Sequence, residues 1–254
     1  MKITFLGTGT SQGVPIIGCD CEVCTSTDPK DNRLRSSILI NREEINIAVD
    51  VGPDFRQQML RAGIKNLHAI LLTHEHNDHI AGLDDVRPFN FRQWKNMPLY
   101  GTQHVLDEVK KRFAYIFDED PYPGAPMIEL RPVSKEKNFQ VEGIEMIPIE
   151  VQHGTLPVLG FRTGAFTYLT DVKTISEVEM KKVLGTKILV LNALHHEKHH
   201  SHLNLQDALE LIRIIRPEQA YLTHIGHRMG LHAEVSKLLP AGVALAFDGL
   251  EVIC

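Results

Sequence analysis

Apolar residues along the chain gather in short β-type stretches, and one after another ends in a side chain able to bind a metal or hold a ligand. The stretches are 45–50 ending at Asp50, 69–72 leading into Thr73-His74, 147–153 ending at His153, 166–171 at Asp171, 220–224 at His224 and 244–248 at Asp248. Residues 1–6 read as a further strand. Any one such ending fits a strand-end turn or a helix cap. Six of them favour a shared site, delivered from a common edge of a rigid scaffold.

Between the strands the period changes to that of amphipathic helices. Helices are expected over 54–62, with Asp54 as N-cap and Gly63 just past the end, and over 102–113, 176–184 and 232–239. Over 204–215, Leu205, Ala208, Leu209, Ile212 and Ile215 share one face, and Pro217 stops the helix. The segment 118–126, with Pro121, Pro123, Gly124 and Pro126, reads as a loop near the site mouth. Two β-rich halves with helices between and after them imply an α/β (α+β) chain whose sheets pack face to face under outer helices. No repeat or linker interrupts it, so one domain over 1–254 is expected.

A length of 254 residues and 43% hydrophobic content suffice for a well-buried core and argue against disorder. No apolar run approaches the roughly 20 residues of a membrane span. The N-terminus reads as a strand and not a signal peptide, so a cytoplasmic protein is expected. The net charge of −5, without a basic block, makes nucleic acid an unlikely partner. A small anionic substrate remains compatible, because bound metals supply positive charge locally.

The chemistry concentrates in Thr73-His74-Glu75-His76-Asn77-Asp78-His79, where four metal-capable side chains follow a strand end within six residues. Imidazole and carboxylate suit zinc, manganese and iron(II). A loop there can turn His74 and His76 one way and Asp78 and His79 another, which suits two metals better than one. The zincin pattern is excluded, because a second histidine would have to replace Asp78. His74 and His76 need a third ligand, for which His153 is the candidate; Asp78 and His79 similarly need His224. Asp171 can bridge both metals, since a carboxylate has two oxygens. Asp50 and Asp248 read as hydrogen-bond acceptors behind the ligands.

A second cluster, Cys19-Asp20-Cys21-Glu22-Val23-Cys24, is a poor disulfide framework and a good thiolate site. His227 lies three residues past His224 and can complete a Cys3His structural zinc that pins the loop at about 8–36. A third run holds His195, His196, His199, His200 and His202. One of these near the metals can serve as general acid, and the residues alone do not choose which; Lys198 can add charge for a phosphate.

Thr8-Gly9-Thr10, Asp50, His74-x-His76-x-Asp78-His79, His153, Asp171 and His224 together resemble the metallo-β-lactamase superfamily over essentially the whole chain. Gln12-Gly13-Val14-Pro15, the three cysteines, Leu222-Thr223-His224-Ile225-x-His227 and Phe247-Asp248-Gly249 further resemble the phosphoribosyl cyclic phosphodiesterases of the bacterial carbon–phosphorus lyase pathway. The resemblance implies a four-layer αββα sandwich, two divalent metals (manganese or zinc) and one separate structural zinc. It also implies hydrolysis of a small cyclic phosphodiester such as 5-phosphoribosyl 1,2-cyclic phosphate. A metal-bridging hydroxide would attack phosphorus, with Asp78 orienting the water. The family's general acid precedes an x-x-Leu-Asn step, a place held here by His200, although His202 stands where the pattern has an acidic residue. The Glu43-Glu44 turn and the loops expected over 84–97 and 118–126 also depart from it, and the two loops are expected to line the substrate mouth.

Two other readings share this chemistry. A tRNA 3′-processing nuclease usually carries an RNA-clamping arm, and no Gly- and Lys-rich insertion serves as one here. A non-hydrolytic cofactor-biosynthesis protein of the same fold tends to have degraded ligands, whereas this set is complete. A homodimer is the default assembly.

Overall fold

The apolar stretches become strands of two mixed β-sheets in the computed structural model, which describes residues 1–254. The first sheet has the order Glu251–Ile253, Lys2–Gly7, Ser37–Arg42, Ile45–Val49, Ala69–Leu71, Met97–Gly101, Ile128–Pro132. The second runs Thr174–Ile175, Ile144–His153, Leu156–Thr163, Phe166–Leu169, Ile188–Asn192, Gln219–Thr223, Val243–Leu245, with Phe139–Val141 beside Ile144–His153.

Successive residues of a strand face opposite sides, so one strand feeds two cores. Ile3, Phe5, Ile38, Ile47, Val49 and Leu71 of the first sheet meet Met146, Phe161, Phe166, Tyr168 and Val190 of the second. Leu39, Ala48, Ile70 and Leu99 point outward onto helices Phe55–Ala62, Arg87–Gln93 and Gln103–Arg112. Leu189, Leu191 and Leu222 do the same toward helices Glu177–Val183 and Leu205–Ile215. Covered on both faces, these strands read as continuous apolar runs. The layers are therefore α, β, β, α, and each fully buried Leu, Ile or Phe contributes about 1.5–3 kcal/mol.

Pairing direction decides where the strands end. Ile45–Val49 runs parallel to Ala69–Leu71. Phe166–Leu169, Ile188–Asn192, Gln219–Thr223 and Val243–Leu245 are mutually parallel. Ile144–His153 and Phe166–Leu169 are both antiparallel to Leu156–Thr163 and so share one direction. Within each sheet the candidate residues therefore leave one edge, and their proximity below shows that the two edges coincide.

The helix caps follow the sequence at Thr102, Ser176 and Asn204, whose side chains accept from the N–H of Val105, Glu179 and Asp207. Gly63 closes its helix at φ 64°, a left-handed conformation that glycine adopts readily. Three expectations need correction. Asp54 occupies the N-cap position without capping: its carboxylate instead accepts from the backbone N–H and the guanidinium of Arg35. The helix expected over 232–239 is only His232–Ser236, a short turn that stops ahead of Pro240. Much of 84–97 is helical, as Leu83–Val86 and Arg87–Gln93, because Leu83, Val86 and Phe89 bury against the outer core. Residues 118–126 carry neither helix nor strand, and no helix is long and apolar enough to cross a membrane.

Candidate metal centre

Asp50 organises the first half of the site. Fully buried at the end of Ile45–Val49, it accepts from the Thr73 backbone N–H (2.9 Å), the Thr73 hydroxyl (2.9 Å) and Nδ1 of His79 (2.7 Å). The Thr73 hydroxyl also meets Nδ1 of His74 at 2.9 Å. Each imidazole is thus held by Nδ1, leaving Nε2 for a ligand. Nε2 of His74 lies 3.0 Å from Nδ1 of His76, and Nε2 of His79 lies 3.2 Å from the Asp78 carboxylate.

The second sheet supplies the rest. Asp171 stands between the two groups, with Oδ2 3.4 Å from Nε2 of His79 and 3.3 Å from Nδ1 of His224. Its Oδ1 faces Nδ1 of His202 at 3.7 Å. His153 gives Nδ1 to the Ser201 carbonyl (2.8 Å), with its ring 5.3 Å from that of His76 and 4.4 Å from that of His202. The His224 ring stacks on that of His79 at 5.9 Å. Asp50, Asp171 and His224 all have left-handed backbones, with φ of 64°, 57° and 56°. A non-glycine residue there costs on the order of 1–3 kcal/mol and is held by its surroundings. Three such residues at strand ends indicate that local conformation yields to the site.

The charges agree with ligand chemistry. Burial opposes ionisation of Asp171, but His224, His79 and His74 outweigh it and hold the carboxyl well below its usual range. Burial, reinforced by His79, keeps His74 neutral, and burial with His224 pushes His202 down to about 2. His79 is the exception: despite burial, Asp50, Asp171 and Asp78 raise it well above its ordinary value. Nε2 of His79 and Nδ1 of His202 are buried without a hydrogen-bond partner. Orphaned groups of this kind are rare and call for a ligand. Ionised carboxylates, neutral imidazoles and orphaned ring nitrogens fit divalent cations.

The cysteine loop converges separately. Sγ of Cys19, Cys21 and Cys24 lie 3.4, 3.3 and 3.6 Å from Nδ1 of His227. Tetrahedral zinc with ordinary bond lengths places S and N roughly 3.6 Å apart. The four side chains form one ligand cluster distinct from those around Asp171. Burial raises the Cys24 thiol to about 11, while the Cys24 backbone N–H draws Cys21 down to about 6. A bound cation would complete the deprotonation.

A family model, the beta-lactamase superfamily domain, matches residues 45–225, which include every candidate ligand of the Asp171 cluster. The chain belongs to the beta-lactamase superfamily. A crystal structure described as a new diphosphatase from the PhnP family is 40% identical, with a TM-score of 0.93, covering 99% of this chain and 96% of the other. An octanoyltransferase of Porphyromonas gingivalis is 41% identical over 255 residues, covering all of this chain and 51% of that protein. A ribonuclease Z of Methanosarcina acetivorans is 30% identical over 167 residues, 63% of this chain and 47% of that one. Zn-bound PqqB from Methylobacterium extorquens, at 19% identity and a TM-score of 0.82 over the whole of both chains, shares the fold. The chain spans about half the length of the curated relatives it matches. The superfamily fold implies divalent metals.

Within this superfamily fold, His74, His76, Asp78, His79, His153, Asp171 and His224 are all brought to one place. His200 is not. Its side chain is exposed, against the His199 ring at 4.3 Å, whereas His202 is buried between His153 and His224. The reason is a backbone pairing set by the fold: Leu203 gives its N–H to Val172 and takes one from Leu194, and this pairing turns His202 inward. The resemblance pointed to His200, with His202 as the alternative; the structure places His202, and not His200, beside Asp171. Asp50 stands behind two ligands, but Asp248 touches none; it accepts from Thr8, Leu34 and Arg61 and ties the cysteine loop to the sheet. The Ser201 carbonyl behind His153 left no mark in the sequence, because a backbone acceptor has no residue type.

Proposed function

We propose that this chain is a metal-dependent phosphodiesterase that opens a small cyclic phosphodiester. The observation that carries the reading is the convergence on Asp171 of six imidazoles and Asp78, with His76, Asp78 and His153 on the more accessible side. His74, His76 and His153 would hold one divalent metal, Asp78, His79 and His224 a second, with Asp171 between them. When bound, such a pair acidifies water and offsets charge on phosphoryl oxygens. Asp78 orients the attacking water, and Asp50 keeps His79 aligned through Nδ1. His202 supplies the leaving oxygen with its proton. Burial and the neighbouring His224 disfavour its charged form, and the negative charge of a bound phosphoryl group would help it to take that proton up.

Hydrolysis of a diphosphate is a second reading, supported by the 40% identical structure described as a diphosphatase. The octanoyltransferase relative favours acyl transfer less, because about half of it lies outside the match and Cys19, Cys21 and Cys24 face His227.

Metal analysis of the purified protein, followed by a panel of bis-p-nitrophenyl phosphate, cyclic nucleotides, cyclic ribose phosphates and nucleoside diphosphates, tests these readings. Near three metals per chain and turnover of cyclic diesters are expected. Turnover of diphosphates alone would favour the second reading, and a metal-loaded protein inert on the whole panel would overturn both.

A further inference from the structure

A groove of about 530 Å³ runs between helix Phe55–Ala62, with the turn that follows it, and helix Arg87–Gln93, and it shares no residue with either ligand cluster. Buried Phe55, Met59 and Phe89 form its apolar floor, and Leu60, 65% exposed, stands on its wall. Phe91 and Trp94, close to Arg92 of the groove in the chain, are 47% and 86% exposed. Trp94 also has a left-handed backbone at φ 54°, a conformation that strains a bulky side chain. So exposed a ring has little packing within the chain to offset that strain. Single exposed apolar residues are ordinary, but several around one apolar hollow mark an interaction site.

The rim is cationic. Arg56, Lys65 and Arg92 line the groove, and Arg92 also lines an adjoining depression with Lys95. All four are exposed, and none pairs with a carboxylate. Asp85 is the only carboxylate lining either hollow. The chain as a whole carries −5, so this face runs against its net charge. Unpaired cations around an apolar groove complement a partner that presents apolar side chains and carboxylates together. Both walls are helical and offer no free strand edge, so the groove takes side chains at helical spacing and not an added β-strand. A second copy in a two-fold contact would set the same cationic rim against itself. A lipid surface would meet Trp94 but not the recessed floor.

We propose that this face docks an acidic amphipathic helix of a partner protein, with apolar side chains in the groove and carboxylates on Arg56, Lys65, Arg92 and Lys95. The docking is independent of the phosphodiesterase reading. The test uses the metal-loaded protein and synthetic helical peptides of about 18 residues, with Leu or Phe at i, i+3, i+4 and i+7 and either Glu or Lys elsewhere. Trp94 is the only tryptophan of the chain, so its emission reports on this face directly. The Glu peptides should shift that emission to the blue and bind at least about tenfold more tightly than the Lys peptides. Their affinity should fall at least about tenfold in Arg56→Glu/Arg92→Glu and in Leu60→Asp, each with the circular dichroism spectrum of the wild type. Arg213→Glu, an exposed and unpaired arginine on helix Leu205–Ile215 in the opposite outer layer, should leave it within about twofold. Equal affinity for the two peptide sets, an unmoved emission, or unchanged affinity in both groove variants would overturn the proposal. A blue shift with phosphatidylglycerol vesicles and none with the Glu peptides would assign the face to a lipid surface. A blue shift on raising the protein concentration alone, with a doubled sedimenting mass, would assign it to a second copy, and either result would overturn the proposal as well.

Discussion

The two ligand clusters of this chain are assembled in opposite ways. Around His227, three ligands come from six consecutive residues of an irregular, half-buried loop, and the fourth arrives from over 200 positions away. Around Asp171, the ligands come from strand ends spread over residues 74–224, most of them buried, and three strand-end residues have left-handed backbones. The first cluster is closed: its four side chains would take up every position of a tetrahedral ion, which suits a clasp. The second has more accessible ligands on one side, and its rigidity comes from the sheets beneath it. A clasp should govern stability and an open cluster should govern turnover.

The largest effect that could break this contrast is expected at the open cluster. His74→Ala or Asp171→Ala should take metal-dependent turnover to background, a loss on the order of 10⁴ or more, with a circular dichroism spectrum like that of the wild type. Retained activity would remove the centre from the account. Next, His202→Ala should lower kcat by about 10²-fold, while His200→Ala stays within about threefold. The reverse ranking would restore His200. Asp50→Asn should weaken metal binding by about 10-fold to 100-fold, because one of the two oxygens that align His79 and Thr73 is replaced by an NH2 donor; competition with a chelator measures this.

At the closed cluster the readout changes from rate to stability. Cys21→Ser should lower the melting temperature by about 5 °C or more and remove one zinc per chain, with turnover of the folded, metal-loaded fraction within about threefold. An unmoved melting temperature would argue against a structural ion. The smallest effect concerns acid. His232, beside Arg33 and giving its N–H to Asp31 under the cysteine loop, is kept neutral down to about 4 by burial and by Arg33, against an ordinary value of 6.5. Its pKa is depressed in the folded state, so the unfolded chain takes up a proton first. The stabilising contribution is whole above pH 6.5 and is lost as pH falls toward 4. His232→Gln should flatten that part of the stability profile in denaturant titrations across pH.

The candidate ligands that the structure brings together could be read from the chain. The 74–79 motif and the cysteine triad are local, and the strands ending at Asp50, His153, Asp171 and His224 announced themselves as β-type stretches rich in apolar residues. The choice between His200 and His202 could not be read. Both are histidines in one loop, and only the pairing of Leu203 with Val172 and Leu194 turns one ring inward and leaves the other in water. Asp54 and Asp248 show the same limit. An aspartate at a strand or helix end looks alike whether it caps, supports a ligand or pairs with an arginine, because the partner is chosen by distance in space.

By itself, then, the sequence determined which side chains are candidates for the chemistry and that the strands stack in two layers, since residue type and period are local properties. The tertiary structure decided which histidine faces Asp171 and which aspartates stand behind the clustered imidazoles. Those outcomes depend on strand direction and on backbone hydrogen bonds between distant segments, which only the packed fold specifies.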